Sequence, residues 1–406
     1  MTEKLYWTDP HLAAFEATAT ASTFGDRPSI VLERTLFYPE GGGQLGDVGT
    51  LTIDGQRVAV LDTQIDDAGV IHHLVEAAAG GAARGEIDLV RRRDHMAQHT
   101  AQHALSRALA DVAKAETVSA RLGATSCTID VQRPGIPDAE LHRAEDLVNA
   151  LIESDVEVRA IYPSAEELPT LKLRKQPKVT EGTIRIIDIA DFDLTPCGGT
   201  HCTRTGQIGQ ARIVGLEKYK GMLRITFHAG RRALTDARTK HEALAALATD
   251  LTCGIAEVPG AVTRLRGDLK NARAQLEAAR TEIAKLLARS LLGALPAGDG
   301  PIVLPVERPG DSIDALRTLA NELTADPRVL AVLGAPDPAT GDLAVLVQRG
   351  ANVKLDAGAF IKARCAARGL RGGGRPERGE ARFPAQDGKP ATLEELTAAV
   401  RAALQI

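Results

Sequence analysis

The chain has 406 residues, of which 44% are hydrophobic and 25% charged, and its formal net charge is -4. This length predicts two to four domains, and the composition is typical of a soluble globular protein. The small net charge excludes nucleic-acid binding through overall charge, so any such surface must be a local basic patch, and an aromatic content of 3% argues against base-stacking platforms.

The sequence also restricts the compartment in which the protein works. No run of eighteen apolar residues occurs, and the beginning MTEKLYWTDP has neither the basic start nor the apolar centre of a signal peptide. The five cysteines are an odd number and widely spread, which is unlike a disulfide framework. We therefore expect a cytoplasmic protein with reduced cysteines and no membrane partner.

Residues from about 28 to 90 alternate short apolar runs with turn signals. The Asp54-Gly55 pair between two such runs is a strong hairpin signal, and the pattern predicts a small β-barrel or sandwich over residues 1–90. This region contains the glycine-rich segment Phe37–Asp47, FYPEGGGQLGD. The segment is either a tight turn that needs positive φ angles or one wall of a binding pocket.

A helix is predicted after three arginines, Arg91–Arg93, with Asp94 as its N-cap. It carries His95, His99 and His103, each four residues from the next, so all three project from nearly one face. Two histidines at this spacing can coordinate one metal ion together. The arginines are either a solvated face or a contact for backbone phosphates.

The region after this helix is predicted to mix strands with a second helix, as an α+β domain over residues 91–232. The expected helix covers His142–Val156. The expected strands are Glu116–Gly123, Ser126–Val131, Thr183–Ile189, Ala211–Gly215 and Leu223–Phe227.

The turn Cys197-Gly-Gly-Thr-His201 could supply two further metal ligands, because its glycines let the backbone fold tightly. Together with His99 and His103 it makes a His3Cys set suited to zinc. Four protein ligands would close a tetrahedral site, whereas catalytic zinc keeps one position open. Either one ligand is replaced or the shell expands to five. Cys202 departs from the ligand spacing and is predicted to be a bystander, and His95 to be a neighbour of the ligands or exposed.

From Arg231 the sequence changes to two helical patterns separated by Pro259. The first has a leucine stripe at 244, 247 and 251. The second follows a heptad seam without error: Val262, Leu265, Leu269, Ala272, Leu276, Ala279, Ile283 and Leu286. The segment 233–295 is predicted to fold back as a coiled-coil hairpin, or else to pair its second helix with another subunit.

Beyond the linker Pro296–Pro301, a compact α/β domain is predicted over residues 299–406. It contains Arg371–Arg378, RGGGRPER, which is either a flexible surface turn or an anion contact made by backbone N–H groups and arginines. The remaining expected elements are strands at Ile302–Leu304, Val329–Leu333 and Leu343–Val347, and helices at Ile313–Leu323, Asp356–Arg368 and 393–406.

Three motifs, HTAQH, CGGTH and FYPEGGGQLGD, resemble in this combination the editing domain of alanyl-tRNA synthetases and of the AlaX proteins, their free-standing relatives. Threonyl-tRNA synthetases share the two metal half-motifs but are not expected to show the glycine-rich segment. RGGGRPER is similar to the signature of the C-terminal domain of alanyl-tRNA synthetases and of DHH-type phosphoesterases, although Gly379–Pro384 departs from its usual glycine-rich continuation. The resemblance implies a long-form AlaX, an editing module without its synthetase.

The resemblance also implies a fold, a reaction and a partner. The fold is α+β: a small β-barrel, a zinc editing domain, a helical coiled-coil hairpin and a C-terminal α/β domain. The reaction is hydrolysis of serine or glycine from mischarged alanine tRNA, at Zn²⁺ held by the His3Cys set. The partner is alanine tRNA, and a homodimer could form through the coiled coil or the C-terminal domain. The candidate catalytic residues are Thr100, Gln102 and Thr200. The candidate contacts to substrate or tRNA are Gly41, Gly42, Gln44, Arg371, Gly372, Gly373, Gly374 and Arg375.

Two other functions fit the same residues. The His3Cys set could be a closed structural site in a non-catalytic RNA-binding protein, which would lose its fold without zinc and show no esterase activity. Alternatively the protein could hydrolyse another ester, such as threonyl-tRNA or a free acylated nucleotide. Activity on a short aminoacyl ester without tRNA would favour this second alternative.

Overall fold

The computed structural model of the chain describes residues 2–177, 184–385 and 392–406. They divide into two units, Met1–Ala246 and Leu247–Ile406. Among the described residues, none of the helices combines the length and the apolar character needed to span a bilayer.

The first unit opens with nine strands, seven of which share one antiparallel sheet of order β6-β5-β9-β2-β3-β8-β7. Asp54 and Gly55, with φ angles of 46° and 82°, form the predicted turn between β5 and β6. The strands are β1 (Glu3–Lys4), β2 (Ala14–Phe24), β3 (Arg27–Leu32), β4 (Arg34–Thr35), β5 (Gly49–Ile53), β6 (Gln56–Val60), β7 (Asp62–Ile65), β8 (Ile71–Leu74) and β9 (Gly81–Ile87).

This sheet is a half-barrel, so the predicted small β-barrel or sandwich is confirmed in part. Leu36 and Phe37, both fully buried, join its apolar cluster together with Leu89. The loop that contains Leu36 and Phe37 and the first residue of the following helix thus cover the apolar face of the sheet. The short strands β1 and β4 pair in parallel beside the sheet.

Helix α1 (Leu89–Ala113) begins at Asp88, whose side chain accepts a hydrogen bond from the backbone N of Arg91. The N-cap is therefore Asp88 and not Asp94, and the three arginines lie inside the helix. Arg92 is fully buried. It donates a hydrogen bond to the Asp47 carboxylate. Arg92 is therefore neither part of a solvated face nor a phosphate contact, the two roles expected from the sequence.

The rest of the first unit is α+β, as predicted. Two antiparallel sheets, of order β10-β11-β16-β15 and β12-β13-β14, pack with α1 and α2. The elements are β10 (Thr117–Leu122), β11 (Cys127–Val131), α2 (Asp138–Glu153), β12 (Val158–Ile161), β13 (Ile186–Ile189), β14 (Asp193–Pro196), β15 (Ala211–Tyr219) and β16 (Met222–Ala229). The predicted strand at Thr183 begins outside the described residues, and its described part starts at Ile186.

Helix α3 (Gly230–Asp250) leads from the first unit into the second. A five-stranded sheet of order β17-β18-β19-β21-β20 forms the second unit with its helices, as an α/β domain. Its elements are α4 (Val258–Gly293), β17 (Ile302–Glu307), α5 (Ile313–Leu323), β18 (Val329–Pro336), β19 (Leu343–Arg349), α6 (Ala357–Ala366), β20 (Gly372–Arg375), β21 (Arg378–Phe383) and α7 (Leu393–Leu404).

The predicted heptad seam lies on α4, which is continuous over 36 residues. Pro259 occupies its first turn, where proline is tolerated. Near the C-terminal end of α4, Ala284 and Ala288 pack into the core with α5 and the sheet. All eight seam residues are exposed, including the large side chains Val262, Leu265, Leu269, Leu276, Ile283 and Leu286. The pairing of this seam stays a prediction.

Candidate metal centre

Four side chains converge where α1 meets the turn after β14. His99 and His103 stand one turn apart on α1, and Cys197 and His201 come from the CGGTH turn. The Cys197 Sγ lies 3.4 Å from Nε2 of His99 and 3.3 Å from Nε2 of His201. One ligand atom from each of the four residues lies within 4.8 Å of the others. The structure therefore brings together the whole predicted ligand set.

The donor set and its spacing fit zinc. Bonds of about 2.3 Å to sulfur and about 2.0–2.1 Å to nitrogen place tetrahedral ligands roughly 3.3–3.6 Å apart. The two measured N–S separations, 3.4 and 3.3 Å, agree with these values. Imidazole nitrogens with one thiolate are also the ligand types that zinc prefers.

Each histidine of the cluster has a polar neighbour at its other ring nitrogen. The Nδ1–H of His99 donates to Oε1 of Gln44 at 2.8 Å. Nδ1 of His201 lies 3.3 Å from the hydroxyl of Thr100. Nδ1 of His103 faces the Asp193 carboxylate at the longer distance of 3.4 Å. Partners of this kind fix the ring tautomer and turn Nε2 towards a metal.

Asp193 is itself fixed by two neighbours. Arg174 donates to both of its carboxylate oxygens, at 2.7 and 3.1 Å, and the Thr195 hydroxyl donates at 2.9 Å. Burial raises the pKa of Asp193, but the bonds from His103 and Arg174 outweigh it and lower the pKa to about 2. A charged carboxylate therefore stands behind His103.

The cluster also favours a thiolate at Cys197. Burial raises the pKa of this thiol, but the charges of His99 and His201 and the hydrogen bonds from His103 and His201 hold it well below its usual range. Burial and the charge of His99 lower the pKa of His201 well below its ordinary value. A thiolate beside a neutral imidazole is the protonation state that metal binding requires.

The CGGTH turn depends on its second glycine. A Cβ on Gly199 would lie 2.2 Å from Cε1 of His99 and 3.0 Å from Oε1 of Gln44, whereas a Cβ on Gly198 would meet nothing closer than 3.9 Å. Arg185 holds the turn from outside by donating to the carbonyl oxygens of Cys197 and Gly199 at 2.8 and 2.9 Å.

The glycine-rich segment Phe37–Asp47 lies directly against the metal helix. Asp47 accepts from Arg92 Nε at 3.0 Å, and both side chains are almost completely buried. The carbonyl of Gly46 accepts two bonds from Arg91, at 3.2 and 3.0 Å. Because two arginines of α1 bind the segment, and its own buried Gln44 bonds to His99, the segment is part of the wall of the metal centre.

A cavity of about 690 Å³ opens over the cluster. His99, His103 and Cys197 form part of its lining, and the glycine-rich segment forms one side through Gly41–Gly43. Trp7 and Tyr38 contribute aromatic walls. Its volume is within the range of small-molecule sites. The metal cluster is thus accessible from one open side.

The cavity separates the predicted site residues into two groups. Gln102, Gly41 and Gly42 line it. Gln44 and the two threonines are completely buried and do not line it. Thr100 donates to the Met96 carbonyl at 2.8 Å and accepts from the backbone N of Cys202, and Thr200 accepts from Nε2 of Gln44 at 2.9 Å. In the structure these three side chains therefore help to position the metal-ligating residues and do not face the cavity.

Two residues left open by the sequence are now placed. His95 is only 2% exposed and stands outside the cluster, so the expectation that it could be exposed was wrong. Burial lowers its pKa to about 4. Cys202 is also outside the cluster, and burial raises the pKa of its thiol to about 11, which suits an inert buried cysteine.

The C-terminal glycine-rich segment forms a hairpin, with β20 paired antiparallel to β21. A Cβ on Gly372 would lie 2.4 Å from the Cys365 Sγ, and one on Gly374 would lie 2.0 Å from the Arg378 carbonyl oxygen. These two glycines therefore permit close packing against α6 and β21. Gly373 has a φ of 150°, and Arg371 and Arg375 are exposed. Their contact with tRNA stays a prediction.

Sequence reasoning missed several residues of the centre. Asp193, Arg174 and Arg185 carry no motif, and an acid four residues before a cysteine is too common to be a signal. Trp7 lies near the start of the chain, yet its Nε1 donates to the Gly198 carbonyl at 2.8 Å. A contact across 191 positions cannot be inferred from local pattern.

Two segments of the chain match models of known protein families. Residues 11–91 match the family "tRNA synthetases class II (A)", and residues 184–226 match the "Threonyl and Alanyl tRNA synthetase second additional domain". The C-Ala domain from Aquifex aeolicus alanyl-tRNA synthetase is 14% identical and covers 28% of this chain and 100% of that domain. Its TM-score of 0.23 does not establish a shared fold.

Whole-chain similarity is to alanine–tRNA ligases. The ligase of Natronomonas pharaonis is 31% identical over 376 residues, which are 89% of this chain and 40% of that protein. The ligase of Methanothrix thermoacetophila is 29% identical over 415 residues, which cover 100% of this chain and 45% of that protein. The chain spans less than half the length of these relatives. Over most of its own length the chain is therefore similar to a part of the alanyl-tRNA synthetases.

Proposed function

We propose that the protein hydrolyses the ester of mischarged alanine tRNA in trans, releasing serine and also glycine, at a zinc ion held by His99, His103, Cys197 and His201. One observation carries the proposal: the glycine-rich segment of the alanyl type is bonded to a complete zinc ligand set and forms a wall of the cavity above it. The similarity to alanine–tRNA ligases over most of the chain supports the choice of tRNA.

Hydrolysis of the wrong ester is needed because a synthetase cannot separate alanine from similar amino acids by binding alone. A synthetase pocket for alanine cannot strongly exclude glycine, which is smaller, and serine differs from alanine by only one hydroxyl. Binding energy alone therefore gives poor discrimination, and a second site that hydrolyses the wrong ester corrects it. The open cavity over the cluster, of about 690 Å³, is of a size that admits an aminoacyl group with its ribose.

Zinc bound here would supply Lewis-acid polarisation of the ester or of water, or would hold the amino group of the substrate. The protein itself fixes three imidazole rings through Gln44, Thr100 and Asp193. Gln102 lines the cavity, and its Nε2 donates to the Ser106 hydroxyl, which holds the amide in place beside the substrate. Gly41 and Gly42, on another side of the cavity, bring backbone close to the bound group without side chains of their own.

The tRNA body would be bound by the second unit, with Arg371–Arg375 contacting its phosphates. Pairing of the exposed α4 seam, within a coiled-coil hairpin or with another subunit in a homodimer, belongs to the same proposal. So does the division of the chain into segments 1–90, 91–232, 233–295 and 299–406. None of these assignments is needed for the chemistry at the zinc cluster.

The test is deacylation of purified alanine tRNA charged separately with serine, glycine and alanine, with threonyl-tRNA as a further substrate. We expect rapid loss of serine, measurable loss of glycine and slow loss of alanine. Inertness on every substrate, with one zinc bound per chain, would contradict the proposal. It would favour a closed structural site, which the four protein ligands also permit.

A further inference from the structure

A second depression adjoins the metal cavity in the first unit. Its volume is about 830 Å³, and it lies on the sheet formed by β10, β11, β16 and β15. Ser119 and Ala120 of strand β10 line both depressions, so this strand is their common wall. We call the second depression the β10 groove.

The common wall is held firmly by the glycine-rich segment. The backbone N of Leu122 donates to the Gly43 carbonyl at 2.8 Å, and Gly43 approaches so closely that a Cβ on it would lie 2.6 Å from the Ala120 carbonyl oxygen. The border between cavity and groove is therefore a fixed backbone edge. A ligand that leaves the cavity over this edge enters the β10 groove.

The groove carries uncompensated positive charge. Its one carboxylate, Asp130, accepts from Arg224 at 2.7 and 2.9 Å and from the Ser119 hydroxyl at 2.8 Å, so its charge is already matched. Arg121 and Lys220 also line the groove, and both are exposed. Within the described part of the chain, neither of them forms an ion pair. Lys220 also lies over the Tyr219 ring, 5.1 Å from its centroid. Since neither cation has a carboxylate partner among the described residues, both can bind an anionic ligand.

Other groups in the groove suit a sugar–phosphate chain. Thr125, Ser126 and Thr128 add hydroxyl groups along the lining. The Tyr219 ring, also in the lining, is covered by the Arg224 guanidinium at 3.6 Å from its centroid. An aromatic face engaged in this way is not free to stack a base, so the groove favours backbone contacts over base contacts.

We propose that the β10 groove holds the phosphodiester backbone of the single-stranded 3′ end of the tRNA, with Arg121 and Lys220 as its phosphate contacts. This inference rests on the proposed function. The scissile ester sits at the end of a polynucleotide, so the strand behind it must pass out of the cavity with its charges. The β10 groove is the basic depression that shares a wall with the metal cavity.

The test compares two substrates that differ only in the strand. One is full-length alanine tRNA charged with serine, and the other is adenosine carrying the same seryl ester on its ribose, which has no phosphate. The variant is Arg121→Ala with Lys220→Ala. The control variant is Arg57→Ala with Arg143→Ala, which removes two exposed arginines from β6 and α2. Zinc content and circular dichroism of both variants are compared with the wild type.

We expect the groove variant to raise KM for the charged tRNA roughly tenfold while kcat stays unchanged. The slope of log KM against log salt should fall by about 1–1.5, because each single-strand phosphate contact contributes about 0.7. Hydrolysis of the seryl adenosine should not change. The charge-conserving variant, Arg121→Lys with Lys220→Arg, should keep most of the affinity, and the control variant should behave as the wild type.

An unchanged KM and salt slope in the folded groove variant would overturn the proposal. Equal loss on both substrates would also overturn it, because the two residues would then act on the ester and not on the strand. A wild type that hydrolyses neither substrate would refute the proposed function instead. In that case binding of uncharged tRNA still tests the groove, through the difference in salt slope between wild type and variant.

Discussion

Oε1 of Gln44 lies 2.8 Å from Nδ1 of His99 and 3.2 Å from the backbone N of Thr200. One buried amide thus joins the glycine-rich segment to both halves of the candidate metal-ligand set. This contact explains why the two halves and the glycine-rich segment form one site, although 156 positions separate Gln44 from Thr200.

Replacing Gln44 should weaken zinc binding without removing a ligand. In Gln44→Ala, Nδ1 of His99 loses its acceptor, and loss of such a partner typically lowers metal affinity by about 10–100-fold. Competition with a chromophoric chelator measures this change. Gln56→Ala, an exposed glutamine in the β5–β6 hairpin, is the matched control and should bind zinc as the wild type does. Equal affinity in both variants would rule out the positioning role of Gln44.

The two glycines of the CGGTH turn should respond differently to alanine. Gly199→Ala forces a methyl group to within 2.2 Å of the His99 ring, so the variant should lose tightly bound zinc. Gly198→Ala has open space to 3.9 Å and should keep one zinc per chain. Metal analysis of the two purified variants after dialysis gives the answer. Full zinc occupancy in Gly199→Ala would contradict this prediction, because the turn would then have moved away from the His99 ring without losing the metal.

The buried ion pair between Arg92 and Asp47 should be important for stability. Removing one partner of a buried pair leaves an uncompensated charge and typically costs about 3–5 kcal/mol. Arg92→Ala should therefore lower the free energy of unfolding in urea by this order. Its neighbour Arg93 is exposed, and Arg93→Ala should change stability by only about 0.5 kcal/mol. Similar losses in the two variants would contradict the assigned role.

The stability of the first unit should fall in mild acid because of His73. Burial lowers the pKa of this histidine to about 4 from its ordinary 6.5, although its bond to the Ile30 carbonyl acts in the opposite direction. Between these values the unfolded chain binds the additional proton and the folded chain does not. The stabilisation is present above pH 6.5 and is lost as pH falls towards 4, by roughly 3 kcal/mol.

Urea unfolding between pH 7 and 4 isolates this contribution. His73→Gln should show a shallower loss of stability with acid than the wild type, even if it is less stable at pH 7. His142→Gln replaces an exposed histidine of α2 and should leave the pH dependence unchanged. Parallel curves for the wild type and His73→Gln would show that His73 does not titrate as its burial requires.

The ligand set could be predicted from the sequence because its geometry is local. Four residues on a helix make about one turn, which fixes His99 relative to His103, and the glycines of the second motif allow Cys197 and His201 to close on one point. The partners of the rings could not be predicted in this way. Asp193 reaches His103 across the fold, and only tertiary packing decides which carboxylate arrives there.

In the fold, too, the features set by local sequence could be predicted and those set by contacts between distant residues could not. The Asp54-Gly55 turn and helix α5 were found because their signals lie within the elements. Strand alternation shows which face of a sheet is buried but not whether its edges meet, so the sequence predicted a barrel or sandwich and could not predict the half-barrel. The N-cap was misplaced because Asp88 and Asp94 both suit that position locally. Arg92 is buried against Asp47 as a residue of the first turn of α1, so the helix must begin at Asp88 and not at Asp94.

The most direct test of the central claim is the initial rate of seryl-tRNA(Ala) deacylation as zinc is titrated into the zinc-free protein. The rate should rise with bound zinc and level off at one ion per chain. His103→Ala should stay inactive throughout, whereas His95→Ala, which removes a histidine outside the cluster, should respond to zinc. Full activity without zinc, or an equal response in His103→Ala, would contradict the account.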